Sequence, residues 1–233
     1  MNDQLLQLYS RYWDGMIQNI YKPNMETEHA CAYPLLIQVT PLYQNASKRI
    51  MFCGQETQVW GIEYPNPETT HPQDLLSIYN NFVNKSNRGE ALKKPGYNSP
   101  YWNFQWRIIQ RNTNIGYVFQ NVVKIGKQKN AGCDDVIYNA TKQYFPIWRE
   151  ELNILKPDLI VFLTGPNYDK RIQEVVGSFV TEHISGVDGL LDKIIFDDKT
   201  MPLAIRTNHP RNLQQNKKYF AMSDAISDII ARV

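Results

Sequence analysis

Three short polar blocks of this chain contain side chains that could perform acid–base chemistry on a planar ring. Each block follows or ends an apolar run, and the three are Gly54-Gln55-Glu56, Asn121-Val122-Val123-Lys124 and Asn208-His209-Pro210. Polar groups at the carboxyl ends of strands build the ligand crevice of an open parallel sheet. A carboxylate, a carboxamide and an imidazole brought together there could attack a bond while holding a flat polar heterocycle.

The composition is that of an ordinary globular protein. The chain has 233 residues, of which 42% are hydrophobic and 21% charged, so bulk disorder is excluded and one sizeable core is expected. We predict a single domain over residues 1–233. Within it we expect a helical extension over 1–48 and an insertion near the site over 61–103.

The charge balance excludes a strongly basic coat of nucleic acid. The formal net charge is +2 and the isoelectric point is about 8.3. Basic residues nevertheless flank two of the blocks, among them Lys124, Arg211 and Lys217. They could form a local basic face, or they could be ordinary solvated surface charges.

The cysteines and the apolar runs bear on compartment and cofactors. Cys31, Cys53 and Cys133 form no Cys-x-x-Cys pair, which argues against a disulfide framework and against a structural zinc site. No apolar stretch approaches the length of a membrane span, and the first residues do not resemble a signal peptide. We therefore expect a cytoplasmic protein with no membrane partner, no metal ion and no cofactor.

Hydrophobic periodicity predicts alternating strands and helices. Helical spacing predicts helices over 4–20, 72–83, 102–111, 140–155, 169–181 and 222–233. Apolar runs predict strands over 48–53, 115–123, 159–163, 193–196 and 202–207. Such alternation indicates an α/β protein, and we expect a three-layer α/β/α sandwich around a central, mostly parallel sheet of about four strands.

Taken together, the blocks resemble the three motifs of the uracil-DNA glycosylase superfamily. That family has a Gly-Gln-Asp-Pro-like or Gly-Glu-Ala-Pro-like first motif, a strand-end Asn in the second and a His-Pro third. The middle block, Gln120-Asn121-Val122-Val123-Lys124, and the stretch Leu155-Lys156-Pro157-Asp158 are similar to particular branches of it. The resemblance covers residues 49–213, and it implies the family's fold and the hydrolysis of uracil or another damaged base from DNA.

The resemblance implies a role for each matching residue. Glu56 stands at the position of the family's Asp and would orient water and stabilise the sugar cation. His209 would donate a hydrogen bond to the departing base, and Asn121 and the backbone at Gln55 would bind the base edge. The expected DNA contacts are Arg211, Lys124 and Lys217, with Leu213 inserted into the emptied base stack.

The chain also departs from the family pattern. The Pro and Tyr that follow the acid in the best-known branch are replaced by Thr57 and Gln58, and Arg211 stands where Ser usually follows His-Pro. The four cysteines that bind an iron–sulfur cluster in some branches are missing, so no cluster is expected. Candidates for the aromatic that stacks on the base are Trp60, Tyr64 and Trp102.

Two other functions are compatible with this sequence. The altered first motif is compatible with a catalytically inactive or repurposed member of the same fold that binds nucleic acid or a free nucleotide. A small-molecule enzyme without affinity for nucleic acid is the third, and the salt dependence of DNA binding would separate these possibilities.

Overall fold

The computed structural model describes residues 1–233 apart from 58–59, 62–63, 65, 88–97, 130–131 and 187–188, and at 85–87 it describes the backbone alone. The chain forms two compact units. The first comprises Met1–Val39, Gln55–Asn81 and Gln120–Leu155, and the second comprises Thr40–Gly54, Phe82–Phe119 and Lys156–Val233. The predicted insertion over 61–103 lies partly outside the described residues.

In the described part of the chain, six strands form one mixed sheet in the order β2-β1-β3-β6-β5-β4. They are β1 (Lys48–Glu56), β2 (Ile115–Val123), β3 (Leu159–Phe162), β4 (Phe179–His183), β5 (Leu191–Phe196) and β6 (Leu203–Thr207). β3 pairs in parallel with both β1 and β6, which aligns Cys53, Phe162 and Arg206. The carboxyl ends of these three strands therefore lie at one edge of the sheet.

The central strands are where the apolar runs predicted them. All four residues of β3 are buried, as expected for a strand covered on both faces. The middle of β1, from Ile50 to Cys53, is at most 1% exposed. β2 has the predicted bounds, and β1 continues three residues beyond its predicted end, so that Glu56 is its last residue.

The α/β class is confirmed, but the predicted sheet of about four mostly parallel strands is wrong. β5 runs antiparallel to β6, and β4 antiparallel to β5. Residues 179–181 were predicted as the end of a helix, whereas α8 (Asp169–Val176) stops at Gly177, which has a φ of 131°. Only Phe179 of β4 is buried, so this edge strand lacks the apolar alternation that identifies a half-buried strand.

The first unit is mainly helical. α1 (Asn2–Met16) continues as a π-helical turn (Ile17–Tyr21), and its buried side recurs at helical spacing, which confirms the helix predicted over 4–20. A short α2 (Lys22–Asn24) follows, and α4 (Pro72–Asn87) begins in this unit. The helix predicted over 140–155 is instead two helices, α6 (Asp135–Tyr144) and α7 (Trp148–Leu155). Pro146 lies between them, and proline has no N–H for a helical hydrogen bond.

The second unit contains the remaining helices. They are α3 (Pro41–Asn45), α5 (Pro100–Arg111), α8, α9 (Pro210–Gln215) and α10 (Tyr219–Arg232). α5, α9 and α10 pack against one another. Ser99 caps α5 by accepting a hydrogen bond from the N–H of Trp102, and Arg107 on α5 bonds Ser223 and Asp224 on α10. The helices predicted over 102–111 and 222–233 are thus confirmed, each beginning slightly earlier.

Candidate functional site

The acid of the first block ends β1 and belongs to the first unit. Glu56 is half-buried, and its Oε1 accepts a hydrogen bond from the backbone N–H of Gly132 at 2.9 Å. Gln55, the preceding residue, is also half-buried. A carboxylate oriented by a backbone donor and still in contact with solvent can hold a water molecule in a defined direction.

The segment after β2 packs closely on the segment after β1. A Cβ on Gly126 would lie only 1.9 Å from the backbone carbonyl oxygen of Thr57, so glycine is required there. Thr57 itself is buried, and its hydroxyl donates a hydrogen bond to the carbonyl oxygen of Lys124 at 3.0 Å. The ends of the first and second blocks are therefore neighbours within the first unit.

This contact fixes the orientation of the Asn121 carboxamide. Asn121 is 8% exposed, and its Nδ2 lies 3.1 Å from Thr57 Oγ1. Because the Thr57 hydroxyl uses its proton on the Lys124 carbonyl, its oxygen can only accept from Asn121, so the NH₂ group must face Thr57. The backbone carbonyl of Asn121 accepts from Trp148 Nε1 at 3.2 Å. The side-chain Oδ1 and the second side-chain N–H of Asn121 form no hydrogen bond with any other residue that the structure describes.

A buried ion pair supports the strand that carries Asn121. Lys124 Nζ lies 2.8 Å from Glu151 Oε1 and also donates to Gln120 Oε1 at 2.6 Å and to the Leu35 carbonyl oxygen at 3.1 Å. Lys124 is 3% exposed and Glu151 is 0% exposed. Gln120 donates to Glu151 Oε2 at 2.5 Å and accepts from the Asn121 backbone N–H at 2.9 Å. The buried charges are therefore linked to the backbone N–H of Asn121 through the Gln120 carboxamide.

Tyr9 completes this network. Its hydroxyl donates to Glu151 Oε1 at 2.8 Å. Burial, together with the negative charge of Glu151, raises the pKa of Tyr9 well above its ordinary value, so the phenol stays protonated and serves as a donor.

The position of Lys124 corrects its predicted role as a DNA contact. Its ammonium group is committed to a carboxylate and two other oxygens inside the first unit, where a phosphate has no access. No local sequence signal marks this role, because Lys124 follows β2 whereas Glu151 lies on α7, 27 residues further along. Lys124 is therefore not part of a DNA-binding surface.

The imidazole of the third block has a defined tautomer. His209 is the N-cap of α9 in the second unit, and its Nδ1 accepts a hydrogen bond from the backbone N–H of Arg211 at 3.2 Å. An accepting Nδ1 carries no proton, so the neutral ring must be protonated at Nε2. Nε2–H is the donor that a departing base oxygen would require.

Tyr101 is a contact of His209 that sequence reasoning missed. The two rings are stacked, with centroids 5.4 Å apart and planes at 10°. Tyr101 lies in the first turn of α5, more than one hundred residues before His209, and no spacing rule connects them. The stacked ring restricts the orientation of the imidazole.

The remaining predicted DNA contacts are divided between the surface and the core. Arg211 and Lys217 are exposed on the second unit. Leu213 is 0% exposed and packs as a core residue of α9, so in this conformation it cannot act as a wedge. Because its side chain is buried, Leu213 is not proposed as the residue inserted into the base stack.

The aromatic candidates lie in different places. Trp102 packs in the second unit against Phe82 and Phe119, with ring centroids 4.6 and 5.2 Å away. Trp60 and Tyr64 line a pocket of the first unit whose described lining excludes Glu56 and Asn121. These contacts make Trp102 a packing residue.

Comparisons with known proteins identify no family for this chain. No protein-family model matches the sequence, and no curated protein is significantly similar to it. Among the described residues, no group of His, Cys, Asp and Glu side chains is arranged to hold a metal ion. Of the helices described, none is long and apolar enough to cross a membrane.

Proposed function

We propose that this protein is a DNA N-glycosylase, which hydrolyses the bond between deoxyribose and uracil or another damaged base. The observation that carries the proposal is the fixed orientation of the Asn121 carboxamide. With one N–H on Thr57, the amide retains an acceptor and a donor side by side. That pair is complementary to the adjacent N–H and carbonyl of a pyrimidine edge.

The other two blocks supply the groups that the reaction needs. As the N-glycosidic bond breaks, its electron pair leaves with the base, and positive charge develops on the sugar. In the proposal, Glu56 orients the water whose oxygen bonds to the sugar carbon, and the carboxylate opposes the positive charge. The carboxylate accepts the proton that this water loses, and solvent returns a proton to the released base anion. His209 donates from Nε2–H to the base oxygen on which negative charge accumulates. The backbone at Gln55 would bind a second base oxygen.

DNA would be held by exposed basic residues. Arg211 and Lys217 lie on the second unit near the start and the end of α9, and each could contact a phosphate. Neither residue reads sequence in this proposal, so both would contribute salt-dependent affinity.

Base release from labelled oligonucleotides tests the proposal. Single- and double-stranded substrates containing uracil, hypoxanthine or xanthine should show release of at least one base. Glu56→Gln and His209→Ala should each slow it by about 100-fold or more, because a positioned acid–base group or oxyanion donor contributes about that much. The exposed residues Glu68 and His183 provide matched controls, since Glu68→Gln and His183→Ala should leave the rate unchanged. The proposal is refuted if none of the three bases is released from either the single- or the double-stranded substrates.

One observation favours a second candidate, a binding protein without catalysis. The Glu56 carboxylate accepts from the Gly132 backbone, and this contact could be purely structural. Such a protein would bind single-stranded DNA or a nucleotide without turnover. Binding without base release would support this candidate over the glycosylase. Fluorescence anisotropy with single-stranded DNA at two salt concentrations detects the binding and separates both from a small-molecule enzyme without affinity for nucleic acid, because phosphate contacts weaken as salt rises.

A further inference from the structure

The first unit contains a pocket of about 240 Å³ that is separate from the three blocks. Drug-sized ligands occupy pockets of roughly 300–1,000 Å³, so this one suits a smaller molecule of one or two rings. Its described lining contains four aromatic residues, Tyr21, Tyr33, Trp60 and Tyr64, and it also includes Cys31 and Gln128.

Backbone pairing gives the pocket a rigid frame. An antiparallel bridge joins Cys31 to Lys127, and hydrogen bonds of 2.9 and 3.0 Å flank it on either side. The Tyr33 N–H donates to the Trp60 carbonyl oxygen at 3.0 Å, which attaches a third segment. Gly61 has a φ of 74°, and a Cβ there would lie 2.9 Å from the Tyr33 ring, so the turn after Trp60 depends on glycine.

The aromatic side chains form parallel surfaces. The Tyr21 and Tyr33 rings are stacked with centroids 4.8 Å apart and planes at 19°, and Trp13 stacks on Tyr33 with planes at 7°. Tyr21 donates its hydroxyl to the Ala32 carbonyl oxygen. Rings held in this way offer a flat ligand a surface that is already ordered, which lowers the entropy cost of stacking.

The described lining of the pocket is electrically neutral, since it contains no Lys, Arg, Asp or Glu. Burial raises the pKa of the Cys31 thiol to about 12, and burial likewise raises the pKa values of Tyr21 and Tyr33. A charged ligand would lose hydration there without gaining a counter-charge. Cys31 remains a thiol at neutral pH, so it is a poor nucleophile and metal ligand.

Within the described lining, one side-chain carboxamide is available to bind the edge of such a ligand. Gln128 is exposed, and its side chain makes no hydrogen bond with any residue that the structure describes, while its backbone N–H is bonded to Ala30. The amide presents one acceptor beside one donor.

From these observations we propose that the pocket binds a neutral, flat heterocycle of one or two rings. The ring would stack on the aromatic lining and pair its adjacent N–H and carbonyl with Gln128. This inference does not depend on the proposed glycosylase activity, because neither Glu56 nor Asn121 is in the described lining.

Uracil and hypoxanthine are suitable probes, since both are neutral and have an adjacent N–H and carbonyl. Binding to the full chain is measured by calorimetry, with orotate as a ring of similar size that carries a carboxylate. Gln128→Leu should weaken binding of both bases about tenfold, the equivalent of one hydrogen bond's net contribution. Gln214→Leu, which changes an exposed glutamine of the second unit, is the matched control and should have no effect.

Alkylation of Cys31 shows where the probes bind. Because the raised pKa makes Cys31 slow to react, iodoacetamide modification is followed over long incubations at mildly alkaline pH by peptide mass spectrometry, with Cys133 as the internal reference thiol of the same unit. Bound hypoxanthine or uracil should slow modification of Cys31 in proportion to occupancy and leave Cys133 unchanged. Three results would each overturn the proposal. They are an unchanged alkylation rate of Cys31 at saturating probe, an affinity for orotate equal to that for uracil, and an affinity of Gln128→Leu for the bases equal to that of the unmodified protein.

Discussion

Replacing Lys124 by methionine should lower the free energy of unfolding by about 3–5 kcal/mol, the usual cost of removing one partner of a buried ion pair. Glu151 is fully buried, and the substitution leaves its carboxylate without a cation. It also removes the three hydrogen bonds that Lys124 Nζ donates. For a chain of this size, 1 kcal/mol corresponds to about 2–4 °C, so Tm should fall by about 6–20 °C.

Removing both charges should cost less than removing one. In the double variant Lys124→Met with Glu151→Leu no buried charge is left unpaired, although Tyr9 and Gln120 lose an acceptor. We expect this variant to be more stable than Lys124→Met by about 1 kcal/mol or more. Lys129→Met, at an exposed lysine of the same unit, should change stability by at most about 0.5 kcal/mol.

Urea unfolding followed by circular dichroism measures all three variants. The explanation is refuted if Lys124→Met costs less than about 1 kcal/mol, or if the double variant is the less stable of the two.

Three further predictions concern single residues. Thr57→Val should cost about 1–3 kcal/mol in urea unfolding, because it removes the buried hydroxyl that orients Asn121. Gly165→Ala should lower thermal stability by about 1 kcal/mol or more, since Gly165 has a φ of 77° and a Cβ would lie 2.9 Å from a neighbouring amide oxygen. Burial opposes ionisation of Asp134, but hydrogen bonds from His29 and two helix N–H groups lower its pKa overall. The resulting stabilisation is present above the ordinary pKa of 3.8 and is lost as the pH falls through the lowered value, so Asp134→Asn should unfold with a weaker dependence on pH in acid.

Each of these predictions has a control and an outcome that would contradict it. Thr57→Ser retains the hydroxyl and should keep most of the stability, and equal losses for serine and valine would show that the hydrogen bonds contribute nothing. The control for Gly165→Ala is Gly132→Ala. Gly132 also has a positive φ, but no described atom lies within 4 Å of the new Cβ, so this variant measures backbone strain without crowding by the described residues. If Asp134→Asn and the unmodified protein lose stability in parallel on acidification, the pairing with His29 is not responsible.

The strands of the sheet core could be predicted because their signal is local. β3 is a continuous run of buried apolar residues between Pro157 and Gly165, and both ends are visible in the sequence. β4 could not be found in this way. It is an edge strand with one buried residue, and it is defined by pairing with β5 rather than by its own composition.

The residues of the candidate site also differ in whether their roles could be predicted from the sequence. Glu56, Asn121 and His209 could be selected because they lie at, near or just after the ends of recognisable strands. The roles of Lys124 and Tyr101 could not, because each depends on a partner that is distant in sequence. A buried lysine and an exposed one have the same local sequence signal until the carboxylate that pairs with it is known.

The most direct test of the central claim is a double-variant cycle on uracil release in single turnover. If Glu56 and His209 stabilise opposite charges of one transition state, Glu56→Gln and His209→Ala should each slow release by about 100-fold, and the combined variant should lose less than the product of the two. If the unmodified protein releases another of the three bases instead, the cycle is run on that base; release of none of them, or single variants that release the base at the unmodified rate, would contradict the account.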